Sequence, residues 1–209
     1  MKTGKLITIE GCEGVGKSTQ IARLKAYLRN NDYDAVFLRE PGGTEISECI
    51  RNLILSRDHS EMVPRCETLL YCAARAQLVA ETILPALEQG KLVVCDRFID
   101  STFAYQGVAR GLGADAIAAL NAFACGDVRP DVTIWLDLSP EKGFARKGGA
   151  DANDRMEQQT AQFHRDVYRG YQMAADREPD RIARIDASHD VESVFQDILK
   201  ALRAAGVLA

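Results

Sequence analysis

Leu6-Ile7-Thr8-Ile9-Glu10-Gly11-Cys12-Glu13-Gly14-Val15-Gly16-Lys17-Ser18 runs from a short apolar segment into a glycine loop that ends on a lysine and a hydroxyl. The first four residues read as a buried strand. Residues 18–30, with Ile21, Leu24 and Leu28 at helical spacing, read as an amphipathic helix. Between them, Gly11 to Ser18 fits G-x-x-x-x-G-K-[ST], the loop that cradles nucleoside triphosphates. Its glycines let successive backbone N–H groups converge on phosphate oxygens, and the following helix adds its positive end. Gly11, Cys12, Glu13, Gly14, Val15, Gly16, Lys17 and Ser18, with the adjoining Thr19, are the candidate triphosphate-binding residues. Lys17 supplies a point charge on the outer phosphates, and the Ser18 hydroxyl reaches Mg²⁺. The motif leaves the acceptor open, because hydrolases, switches and small-molecule kinases all use it.

Outward from this loop, apolar runs alternate with helical patterns. Ala35–Leu38, Leu92–Cys95, Val132–Leu138 and Ile182–Ile185 read as further strands. Residues 65–88, 156–175 and 191–204 read as helices, the first stopped by Gly90. This alternation predicts a three-layer α/β fold, a five-stranded parallel sheet flanked by helices, in one domain over residues 1–209. Ligands of such sheets bind beyond the carboxyl ends of the strands. Glu10, Arg39, Asp96 and Arg97 all fall at such ends.

Composition sets limits. Hydrophobic content of 46% and charged content of 27% are ordinary for a globular protein. A net charge of −4 offers no global basic field for nucleic acid, so an anionic substrate needs locally placed cations. No run approaches the roughly 18 apolar residues of a membrane span, and Met1 to Lys5 shows no signal-peptide pattern. The six cysteines form no CxxC pair, as expected of buried reduced thiols in a cytoplasmic protein.

Three further segments carry chemistry. Arg39-Glu40-Pro41-Gly42-Gly43-Thr44 combines a turn fixed by Pro41 with an arginine able to fork onto a phosphate. Asp96-Arg97 follows the third strand, where a carboxylate can orient Mg²⁺ or its waters. Ser101, Thr102, Tyr105 and Gln106 then lie near one helical face, with groups that suit a sugar and a base. Tyr71 and Arg75, at i and i+4, suit a pyrimidine; a core tyrosine with a surface arginine is the alternative. Arg146 to Arg155 has charges and glycines without an apolar period. It reads as a mobile lid of about residues 143–156, or as a solvated connector.

Together these segments resemble the bacterial thymidylate kinases over nearly the whole chain. The resemblance rests on Ile9 to Thr19, on Arg39 to Thr44, on Asp96 to Gln106, and on Pro130-Asp131 with Leu136-Asp137-Leu138. Asp154-Arg155-Met156-Glu157 resembles the end of that family's lid. It implies transfer of the γ-phosphoryl group of ATP to dTMP with Mg²⁺, by a cytoplasmic homodimer. Arg39 and Arg97 would hold the acceptor phosphate, Tyr71 would stack on thymine, and Arg75 would bond its carbonyl oxygen. Thr102 and Gln106 would lie near the base, Tyr105 would crowd the ribose 2′ position, and Glu10 would approach the 3′-OH or the Mg²⁺ shell. Ser18 and Asp96 would serve the metal, and Lys17, Arg97, Arg146 and Arg155 would be the catalytic cations. Two departures stand out. The loop interior has no arginine, as in the form of the family whose lid supplies it, but here Gly148, Gly149 and Ala150 occupy the middle of the lid and leave Arg146, Lys147 and Arg155. Leu78 stands where the family often has His. Other small-molecule kinases, and a nucleotide-binding switch, are the rival readings.

Overall fold

The computed structural model describes residues 4–149 and 154–209. The middle of the expected lid, Ala150 to Asn153, and Met1 to Thr3 lie outside the described residues. Strands β1 (Lys5–Glu10), β2 (Ala35–Arg39), β3 (Leu92–Asp96), β4 (Val132–Asp137) and β5 (Ile182–Asp186) form one sheet in the order β2-β3-β1-β4-β5. Every neighbouring pair is parallel. β1 sits in the middle and is buried from Leu6 to Glu10, which is why its sequence is a continuous run rather than an alternation. Its buried Thr8 hydroxyl bonds the Thr133 hydroxyl on β4 at 2.7 Å.

Successive strand residues feed opposite faces. Ile7, Ile9 and Val94 join Leu24, Trp135, Tyr171 and Leu202 in the larger core. Leu6, Val93 and Cys95 join Leu78, Ile83 and Phe98 in the smaller one. Each such buried side chain contributes roughly 1.5–3 kcal/mol. All six cysteines are unpaired; Cys12, Cys72, Cys95 and Cys125 are buried, whereas Cys49 and Cys66 are exposed.

The helices are α1 (Lys17–Asn30), α2 (Glu45–Leu55), α3 (Pro64–Leu78), α4 (Leu84–Glu88), α5 (Ile99–Thr102), α6 (Ala114–Cys125), α7 (Pro140–Lys147), α8 (Ala161–Arg177) and α9 (Val191–Ala204). The single helix expected over 65–88 is divided, because a π turn at Val79–Ile83 separates α3 from α4. Pro85 lacks the N–H that an unbroken α-helix needs there, and the wider turn absorbs the mismatch. A second π turn, Phe103–Ala109, follows α5 and closes with Arg110 N donating to Tyr105 O, five residues back, at 2.9 Å. The helix expected from residue 156 starts only at Ala161, where the Thr160 hydroxyl caps Phe163 N. Before it, the Asp154 carboxylate accepts from Met156 N and Glu157 N and holds the chain in turns.

Candidate active site

The phosphate loop joins β1 to α1. Gly16 lies in the left-handed region at φ 98°, and no side chain caps α1, so its first amides point into the loop. Cys12 and Val15 are buried and anchor the loop from below, leaving it their backbone N–H groups. Burial pushes the Cys12 thiol up to about 12, so it is an inert packing group. Lys17 Nζ donates to the Gly11 and Cys12 carbonyls at 3.1 and 3.0 Å. Burial, then the Arg97 charge, lowers its pKa. A Cβ on Gly14 would fall 1.9 Å from the Gly143 carbonyl, so the loop and α7 meet backbone to backbone.

Arg97 follows β3 with φ 69°, a conformation that costs on the order of 1–3 kcal/mol outside glycine. Its backbone N bonds Ile9 O, and its neighbour Phe98 N donates to Glu10 Oε1 at 2.7 Å. Glu10 also accepts from Ser101 N, the Ser101 hydroxyl and the Tyr171 hydroxyl. The turn that aims Arg97 is therefore fixed from below by Glu10. The guanidinium itself bonds Gly11 O, the Tyr171 hydroxyl and Glu13, and lies over the Tyr105 ring. This corrects the role expected of Glu10, which is fully buried and saturated and does not line the cleft. Glu13 lines the cleft in its place, with the Tyr105 hydroxyl 3.4 Å away.

One cavity of about 480 Å³ connects this loop to the acceptor side. Gly14, Gly16, Lys17, Ser18 and Thr19 line one end. Arg39, Pro41, Tyr71, Arg75, Ser101, Thr102, Tyr105 and Gln106 line the other, with Asp96 and Arg97 between. Arg39 bonds Glu48 at 2.9 Å and Pro41 O at 3.1 Å. Arg75 is no surface residue: it is 1% exposed and bonds Glu40, Asn121 and the Phe98 carbonyl. Burial alone lowers its pKa, and the Glu40 carboxylate more than offsets that. Leu78, fully buried, packs where any side chain on Gly43 would meet it at 2.8 Å.

Among the described residues, three buried polar atoms of cleft-lining side chains have no protein partner: Asp96 Oδ1, Thr102 Oγ1 and Glu40 Oε1. Such atoms are expensive unless a ligand or water meets them. Asp96 and Ser18 present oxygen ligands of the kind a hard cation takes. Thr102 presents a hydroxyl where a base edge was expected.

The cations expected on a lid are arranged differently from expectation. Arg146 lines the cleft with its guanidinium bonded to Ala187 O and Ser188 O at 2.7 and 3.1 Å. Lys147 lines it too and bonds Glu157. Arg155 does not line it. It is 7% exposed and donates to Glu67 at 2.7 Å and to Ile54 O at 2.9 Å. The sequence reading also missed Arg51, which faces the cleft and bonds Pro41 O at 2.9 Å. Its signal was its place two turns into the helix capped by Thr44.

Comparisons with known proteins agree with this geometry. Residues 9–198 match the family described as Thymidylate kinase. A thymidylate kinase of Alkalilimnicola ehrlichii is 48% identical over 206 residues, covering 98% of this chain and 95% of that protein. One from Clostridium novyi is 44% identical over 95% of this chain and 98% of its own length. The crystal structure of thymidylate kinase from Ehrlichia chaffeensis superposes with a TM-score of 0.78 at 34% identity, over 96% of this chain and 98% of that one. With motifs, cleft and relatives in accord, the chain belongs to the thymidylate kinase family.

Proposed function

We propose that the chain transfers the γ-phosphoryl group of ATP to dTMP, giving dTDP, and that residues 1–209 act as one nucleotide-kinase domain. The observation that carries this is a single cavity with the phosphate loop at one end and a base-and-phosphate pocket at the other. A switch protein would not need the second pocket.

Both substrates are anions, so the chain's task is to align them and cancel their repulsion. The loop amides and Lys17 hold the donor phosphates. Arg97 is placed between the two ends of the cleft, and with Arg39 and Arg51 it suits the acceptor phosphate. The dTMP oxygen that attacks is already ionised near neutral pH, so no general base is required. Tyr71 stacks on the base and Arg75 meets a thymine carbonyl. Thr102 and Gln106 complete the base wall, and Tyr105 crowds the ribose 2′ position. Glu13, beside Tyr105, takes over the sugar contact expected of Glu10. Ser18 and Asp96 would hold Mg²⁺, which would supply charge neutralisation for the phosphates when bound. Arg146 and Lys147 are the lid cations on the cleft wall.

We place the protein in the cytoplasm, where thiols such as Cys72 and Cys95 stay reduced. Among the described residues no helix is long and apolar enough to cross a membrane. We further propose a homodimer. Ile46 and Leu53 on α2, Leu69 on α3 and Phe123 on α6 are exposed, Phe123 at 91%, on helices that pack side by side. A monomer mass by light scattering would remove that proposal. The central test is a product assay with ATP and a panel of acceptors, paired with calorimetry. We expect dTDP from dTMP, and dTMP binding that persists with an ATP analogue bound. Phosphorylation of thymidine but not dTMP, or competition between dTMP and ATP for one seat, overturns the reading.

A further inference from the structure

Glu67 lies on α3, one turn before Tyr71, and is fully buried. Its Oε1 accepts from Gln106 Nε2 at 2.9 Å and Arg110 Nε at 3.2 Å. Its Oε2 accepts from Arg110 Nη2 at 3.0 Å and Arg155 Nη2 at 2.7 Å. Burial raises its pKa, but the hydrogen bonds from Arg110 and Gln106 and the Arg110 charge outweigh that and hold the carboxyl below its usual range. The donors come from two places that must cooperate: the π turn on the base wall, and the chain that follows the lid. Arg155 is tied down further by its backbone N to Leu55 O at 3.1 Å and its Nε to Ile54 O. Gln159 closes the ring, accepting from Arg110 at 2.9 Å and donating to Arg155 O at 3.1 Å.

We infer that Glu67 is a positioning residue that fixes, through one buried carboxylate, both the amide of Gln106 on the base wall and the C-terminal root of the lid at Arg155. This rests on the dTMP-kinase reading above. Two consequences follow from the chemistry of the groups. A glutamine amide can turn either face to a ligand. The N–H that Gln106 gives to Glu67 sets the orientation of the amide, and its oxygen is the acceptor available to the base. Thymine offers a donor at N3–H, whereas cytosine has an acceptor at N3, so the orientation set by Glu67 favours thymine. At the other arm, Asp154 and Met156 flank Arg155 and line the cleft. Holding Arg155 fixes where that wall stands.

The test is Glu67→Gln in the full chain, with steady-state kinetics on dTMP and dCMP, calorimetry with ATP, and a thermal melt. Failure of the parent protein to phosphorylate dTMP would sink the function reading before any variant is made. In an active parent background we expect the dTMP-over-dCMP preference in kcat/KM to fall about tenfold or more, equal to about 1.4 kcal/mol. The KM for dTMP should rise and kcat should fall about tenfold, with ATP affinity unchanged. Simple loss of folded protein lowers kcat alone and leaves the substrate ratio intact. A folded variant with an unchanged ratio therefore overturns the inference. If Glu67→Gln does not fold, Gln106→Leu and Arg155→Met each remove one arm. The first should lose base preference and the second should lower kcat with preference kept. Equal changes of both parameters in both variants would refute the division of labour.

Discussion

On the strand-end side of the cleft, Lys17 and Arg97 are fastened to the phosphate loop itself, through the Gly11 and Cys12 carbonyls and Glu13. Across the cleft, Arg146 and Arg155 are fastened to groups remote from that loop: the Ala187 and Ser188 carbonyls, Glu67 and the end of α2. The first pair is placed by the sheet, since β1 and β3 deliver both residues to one edge. The second pair is placed by tertiary partners. A cation held by the loop can neutralise charge without moving. A cation held elsewhere must leave its partners or act by fixing the chain around it.

The largest expected effect tests the first half of this contrast. Lys17→Met should lower turnover about 10³-fold, because a fixed charge on the transferring group has no substitute in water-excluded space. Binding of dTMP, measured by calorimetry, should change by less than about threefold, since Lys17 lies at the donor end. Turnover within tenfold of the parent would show that the strand-end side is not where charge is neutralised.

The next effect sharpens the second half. An arginine finger is worth 10³–10⁵-fold in turnover. Arg155→Ala should instead cost about tenfold in kcat and destabilise the fold by about 1–3 kcal/mol, the range for lost charged hydrogen bonds. Glu67 keeps Arg110, so its charge is not stranded. A loss near 10³-fold at an unchanged melting temperature would return Arg155 to the catalytic set.

The same contrast explains what could be read from sequence. The five strands, their parallel arrangement and the phosphate loop follow from apolar runs and glycine spacing, which are local signals. Arg97, Thr102, Tyr105 and Gln106 could be placed because they follow a strand end within eleven residues of Asp96. Even so, the π turn that carries Tyr105 and Gln106 has no pattern distinct from an α-helix. The side-chain direction of Arg155 was not legible because it is set by Glu67, 88 residues away. The burial of Glu10 was not legible because a place at a strand end does not say which way the carboxylate turns. Arg75 joined a correct placement to a wrong alternative: it lines the cleft, but as a buried ion pair with Glu40 rather than a surface cation.

The contrast between buried Glu10 and cleft-lining Glu13 supplies the smallest and most discriminating test. Burial raises the Glu10 pKa to about 7, with Asp100 adding and Arg97, Ser101 and Phe98 opposing. Burial also pushes Glu13 upward, but Arg97 and Lys17 outweigh it and bring Glu13 to about 2. The signs are therefore opposite. Glu10 stabilises the fold fully below its unfolded value of 4.5, and that contribution is lost as pH rises through 7. Glu13 stabilises above 4.5, and its contribution is lost as pH falls through 2. Between about pH 5 and 8 only the first of these changes. Glu10→Gln keeps an oxygen for the Phe98 and Ser101 amides and offers N–H donors to the Ser101 and Tyr171 hydroxyls. Melting the parent and the variant across that range should show the parent losing about 1–2 kcal/mol more than the variant as pH rises. Parallel curves would mean that Glu10 is ionised throughout. The arginine turn would then stand on a charged carboxylate, and the two ends of the loop would carry the same charge after all.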